Sequence, residues 1–109
     1  MRNYSQLISS LKRDRDFIDY CRQQIHDIIK HRHLDKDDIR SITNIISYIV
    51  QHKLDSTIPH EIIPDIIEAI ILEILNTYGI HLSEDNYEEL LSFLKHLFPS
   101  KNKKNIEEK

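Results

Sequence analysis

Isoleucine is a strand former by propensity, yet in this chain it recurs at intervals of three and four residues. That spacing constrains the fold more than any other feature. Ile39, Ile42, Ile45, Ile46 and Ile49 mark one face of a helix, and Ile63, Ile66, Ile67, Ile70, Ile71 and Ile74 mark another. Three-and-four spacing belongs to a 3.6-residue period, whereas a half-buried strand would alternate with period two. Nothing in the chain alternates, and one Gly with three Pro leaves almost no turn chemistry for hairpins. With twenty isoleucines among 109 residues, the spacing overrides the propensity, and the fold class reads as all-α.

The length fits one domain, enough to build one core but not two. Apolar content is 39%, below the globular average of roughly 45–50%, so the core depends on apolar residues being concentrated on helix faces. Residues 1–99 read as the helical domain. The segment 100–109, SKNKKNIEEK, reads as a disordered charged tail.

Four main helices with short connections are expected, packed as a bundle. Along the first, Tyr4, Leu7, Leu11, Ile18, Cys21, Ile25 and Ile28 follow a 3-4 rhythm in which Asp14 occupies one step. Charged residues are adequate helix formers and no Gly or Pro intervenes. The reading therefore favours one helix over about 5–31, with a break near 12–16 as the alternative. Asp35 is placed to cap a second helix over 36–53, with Asp37 and Asp38 in its first turn. Pro59 suits a short helical turn at 59–63, and Pro64 suits the start of a third helix over 64–78. Gly79 then stands at the left-handed position after that helix. Ser83 caps a fourth helix over 84–98, with Leu82 and Tyr87 spaced as a hydrophobic staple.

The net charge of −3 conceals a segregation: residues 1–40 carry nine Lys/Arg and seven Asp/Glu, whereas residues 41–99 carry two and nine. A moderately acidic body lacks the electrostatic footprint of a nucleic-acid binder. Cys21 is the only cysteine and cannot form an internal disulfide. No apolar run matches a signal-peptide core or a transmembrane span. A cytoplasmic location without membrane insertion is the default expectation, although export without a cleaved signal would leave the same sequence signature.

Candidate chemistry is sparse. The stretch HDIIKHRHLD places His31, His33 and Asp35 at metal-ligand spacing, but a zinc site requires three or four convergent ligands. Histidines at a helix end also complement its negative pole. That bland reading is preferred, and no metal or other cofactor is assigned. Cys21 lies on the apolar seam, as a small buried thiol does, and a single Gly excludes phosphate-binding and dinucleotide loops. Glu73 comes nearest to an isolated carboxylate among apolar neighbours. The chain is expected not to be an enzyme. For nucleic acid the candidates are Arg13, Arg15 and Arg22, with Lys101, Lys103 and Lys104 in the tail. The arginines are interleaved with Asp14, Asp16 and Asp19, which suits a solvated, salt-bridged face.

The third helix is the best-supported contact surface. Ile63, Ile66, Ile67, Ile70, Ile71, Ile74, Leu75 and Tyr78 cover about half its circumference, wider than the stripe of roughly 100° that an ordinary bundle helix buries. Glu61, Asp65 and Glu68 form a strip opposite, yet Leu72 falls inside that strip and Ala69 beside it. Such a helix is either central to its own domain or partly bare for a second chain. The sequence thus reads as a small non-enzymatic protein–protein interaction module: a regulator, adaptor, inhibitor or immunity-type binder. Its partner is another protein or a second copy of itself. The interface candidates are Ala69, Leu72 and Glu73, with Leu7 and Leu11 on the seam of the first helix. Nucleic-acid binding and a His-based metal site are the alternatives.

Overall fold

The computed structural model describes residues 4–99. Among them every regular element is helical: α1 (Ser5–Arg13), α2 (Arg15–Ile29), α3 (Lys36–Lys53), a 3-10 turn (His60–Ile62), α4 (Ile63–Thr77) and α5 (Glu84–Leu97). The segment 100–109, with Lys101, Lys103 and Lys104, lies outside the described residues. No helix among those described is long and apolar enough to cross a membrane.

Five α-helices replace the expected four because the first one breaks at Asp14. Continuity fails because Asp14 adopts extended backbone (φ −77°, ψ 97°), and its carboxylate accepts the Phe17 amide at 3.2 Å as the N-cap of α2. Lys53, from the end of α3, donates to the other carboxylate oxygen at 3.3 Å. Both interactions hold the Asp14 carboxyl below its ordinary range, the Phe17 amide most of all. An aspartate mid-helix competes with the ladder for backbone donors. Here the competition is settled from outside, by Lys53 and by Phe17 entering the core at the first turn of α2.

The remaining boundaries follow local chemistry. Asp35 and Asp38 form a reciprocal capping box, each carboxylate accepting the other residue's amide, at 2.9 and 3.1 Å. Pro64 sits in the first turn of α4, where a missing N–H costs nothing. Gly79 (φ 71°) closes α4: its amide bonds to the Asn76 carbonyl, and the Ile80 amide reaches back to Leu75 at 2.9 Å. That pair of bonds is a Schellman motif, and it turns Ile80 into the core. Ser83 caps α5 by accepting the Asn86 amide.

α4 is the spine. It packs against α1, α2, α3, α5 and the 3-10 turn, and Ile66, Ile67, Ile70, Ile71, Ile74 and Leu75 are almost wholly buried. α3 lies across it, joined to α2 and α5, and contributes Ile39, Ile42, Ile46 and Val50 to the same core. α5 is tied down by Arg40 to Glu89 at 2.7 Å and by the Asn86 amide group donating to the Leu34 carbonyl at 2.9 Å. Two polar side chains of α3 enter the core. Thr43 donates to the Ile39 carbonyl at 2.7 Å, whereas the Ser47 hydroxyl has no partner among the described residues.

Candidate interaction cleft on α4

The face of α4 that the other helices leave uncovered carries Asp65, Glu68, Ala69, Leu72, Glu73 and Asn76. Their spacing follows one stripe along the helix for three turns. They line an open trough of about 730 Å³, walled by Lys12 at the end of α1 on one side and by Ile80, His81, Leu82 and Tyr87 on the other. The α1–α2 break and the Schellman turn therefore set the two walls. The first ends α1 beside Glu73, and the second sends the chain back across the end of α4.

The floor is apolar and the edge is acidic. Leu72 and Leu82 are half-buried, packed against the core from its outer side, and Ala69 is half-buried beside them. Lys12 lies 3.8 Å from Glu73, both partly exposed, a pairing worth about 1 kcal/mol or less at a surface. The Tyr87 hydroxyl donates a short hydrogen bond to the Glu68 carboxylate. That bond holds the phenol in its protonated form and pushes its pKa up. Asp65 is exposed and has no ion-pair partner among the described residues.

Three of the five expected interface residues, Ala69, Leu72 and Glu73, thus meet in one trough. Leu11 does not belong with them: it is 6% exposed and faces the core against α4, because the break at Asp14 lets α1 lie on α4. Leu7 is half-buried against the same core, outside the trough. Sequence reasoning missed Lys12, Leu82 and Tyr87 as walls. The strip of Asp65 and Glu68 with Leu72 inside it and Ala69 beside it was legible from its own spacing, but Asn76 was not read as part of it and the walls depend on how other segments cross α4.

Arg13, Arg15 and Arg22 also come together, with Lys12, around a smaller hollow of about 470 Å³ between α1, the start of α2 and α4. Arg22 donates to Asp19 at 3.0 Å, and the nearby Tyr78 hydroxyl and Asp19 raise its pKa. Arg13 and Arg15 have no carboxylate partner among the described residues. His31 and His33 are exposed in the α2–α3 connection, on either side of Arg32, whose φ of 68° is left-handed. The Asp35 carboxylate is occupied as the cap of α3. Among the described residues no three His, Cys, Asp or Glu side chains group as metal ligands would. Cys21 is fully buried, and burial pushes its thiol up to about 11.

The chain matches no family model, no curated protein and no solved structure with which it was compared.

Proposed function

We propose that this protein is a small, non-enzymatic protein–protein interaction module, a regulator, adaptor, inhibitor or immunity-type binder, that engages its partner through the α4 trough. One observation carries the reading. On a helix otherwise enclosed by its own domain, Ala69 and Leu72 form a half-buried apolar floor that, among the described residues, stays open to the trough, framed by polar and charged groups. An apolar centre within a polar rim is the anatomy of a protein interface. The test compares wild-type protein with Leu72→Asp as bait in the native host, with helicity checked by circular dichroism. The expected result is a partner retained by wild type and lost by the variant, with the fold intact. A partner held equally by both baits would remove the trough from the reading.

The hollow at Arg13 and Arg15 supports a second reading, nucleic-acid binding, because those two residues are exposed and have no carboxylate partner among the described residues. Retention on DNA or RNA at low salt that falls steeply with added salt, and is lost in Arg13→Ala/Arg15→Ala, is its signature. Flow-through at low salt removes it.

A further inference from the structure

Building on the proposed trough, we infer that its partner is a basic amphipathic helix, a stretch of about three turns with an apolar ridge flanked by Lys or Arg. The shape of the trough points to an elongated occupant. Its floor runs along α4 from Asp65 to Asn76, about 17 Å at the rise of an α-helix, and an apolar helix ridge is what such grooves accept. The charge points to the sign. Asp65, Glu68 and Glu73 line the trough against Lys12 and His81; Lys12 and Glu73 offset each other at 3.8 Å and Glu68 accepts from Tyr87, which leaves Asp65 unpaired among the described residues. The demand for a cation is greatest at the Asp65 end.

The chain supplies its own example of such an occupant. α1, SQLISSLKR, contains no acidic residue and ends in Lys12 and Arg13. It lies on the neighbouring flank of α4 with Leu11 buried and Lys12 reaching Glu73. A second helix of the same kind would lie beside it, between α1 and the start of α5. A second copy of the whole chain fits less well. A two-fold contact through this face sets the patch against itself, and would bring the acidic edge of Asp65, Glu68 and Glu73 against the acidic edge of the second copy.

The test uses the full chain, isotope-labelled for NMR, and two synthetic helical peptides with the same Leu ridge, one flanked by Lys and one by Glu. The Lys peptide is expected to shift the amides of residues 65–76 and 80–82. It should bind about threefold to tenfold more tightly than the Glu peptide, the range that one or two exposed ion pairs give. The preference should shrink with added salt and should vanish or reverse in Asp65→Lys, an exposed position whose change leaves the core untouched. Equal binding of both peptides in the trough would overturn the charge assignment and leave the interaction surface standing. Shifts confined to another face, or none, would overturn the inference, and Leu72→Asp in the host separately decides whether the trough is an interface at all.

Discussion

Gly79→Ala offers a clean test of how the end of α4 is held, because the structure separates the two costs of adding a methyl group. Gly79 has φ 71°, in the left-handed region, and among the described residues a Cβ placed there would meet only the Arg32 Nη1 atom at 3.9 Å, an ordinary van der Waals distance. Steric crowding therefore contributes nothing, and the backbone carries the whole effect. Holding an L-residue left-handed costs roughly 1–2 kcal/mol, and the restricted unfolded chain returns about 0.4–1 kcal/mol. The net loss is about 1 kcal/mol, equivalent to roughly 4–8 °C in Tm for a domain near this size. Thermal and urea unfolding followed by far-UV circular dichroism measures it, and Gly79→Asn should lose less, since Asn tolerates this conformation. Arg32 is the internal control. It holds φ 68° without being glycine, so Arg32→Gly should stabilise by a few tenths to about 1 kcal/mol by the same arithmetic. A Gly79→Ala loss above about 3 kcal/mol would refute the premise that no contact opposes the methyl group. A gain in stability would refute the left-handed turn, and with it the Schellman closure that sets one wall of the trough.

Other outcomes follow from single groups. Ser47→Ala removes a buried hydroxyl that lacks a partner among the described residues and should raise stability by about 1 kcal/mol, the lower end of what an orphaned buried group costs; a loss in urea unfolding would show that the hydroxyl is bonded. Cys21, fully buried with its thiol pushed up to about 11, should resist a thiol reagent at neutral pH in the folded protein and react once denatured; rapid labelling without denaturant would contradict its burial. Asp14 has a carboxyl pKa lowered in the folded state by the Phe17 amide and Lys53. Its contribution is therefore complete above the unfolded value near 3.8 and is lost as pH falls through the lower folded value. Asp14→Ala should accordingly flatten the acid limb of the stability–pH curve below about pH 4, and an unchanged limb would show that the cap is not formed.

Most helix ends were legible because their signals are local. The Asp35 box, the Ser83 cap, Pro64 and Gly79 act within four residues of themselves, so a reader of the chain sees cause and effect together. Asp14 was not legible in the same way. An aspartate between Arg13 and Arg15 is compatible with a helix interior or with a cap, and the choice rests on tertiary contacts, Phe17 entering the core and Lys53 reaching Asp14 from thirty-nine residues away. Leu11 was misplaced for the same reason, since it could be read as surface only while α1 and α2 were one straight rod. Arg32 gives no hint of its left-handed backbone, because neither Gly nor Asn marks the site. The trough was half legible: the α4 stripe follows from spacing along one helix, but its walls at Lys12, Leu82 and Tyr87 depend on how other segments cross it.

The width of the apolar face on α4 posed a choice between spine and docking surface, and packing geometry shows that a spine in a domain this small can still keep one sector open. A helix closed off on all sides needs roughly six neighbours of its own width, given interaxial distances of 8–10 Å. α4 has four helical neighbours, α1, α2, α3 and α5. A chain this short has no further helix among its described residues with which to close the ring, so the most central helix retains an open sector. Composition then decides what that sector becomes. Leu72 and Ala69 are half-buried there, among the Asp, Glu and Asn that share their stripe. Water disfavours an exposed leucine by an amount set by its bare area, about 25 cal/mol per Å², and here that area is reduced by Leu82 on one side and the core beneath. The residual exposure is small enough to be tolerated in the free protein, yet it lies in the middle of the stripe, where a partner's apolar ridge would cover it.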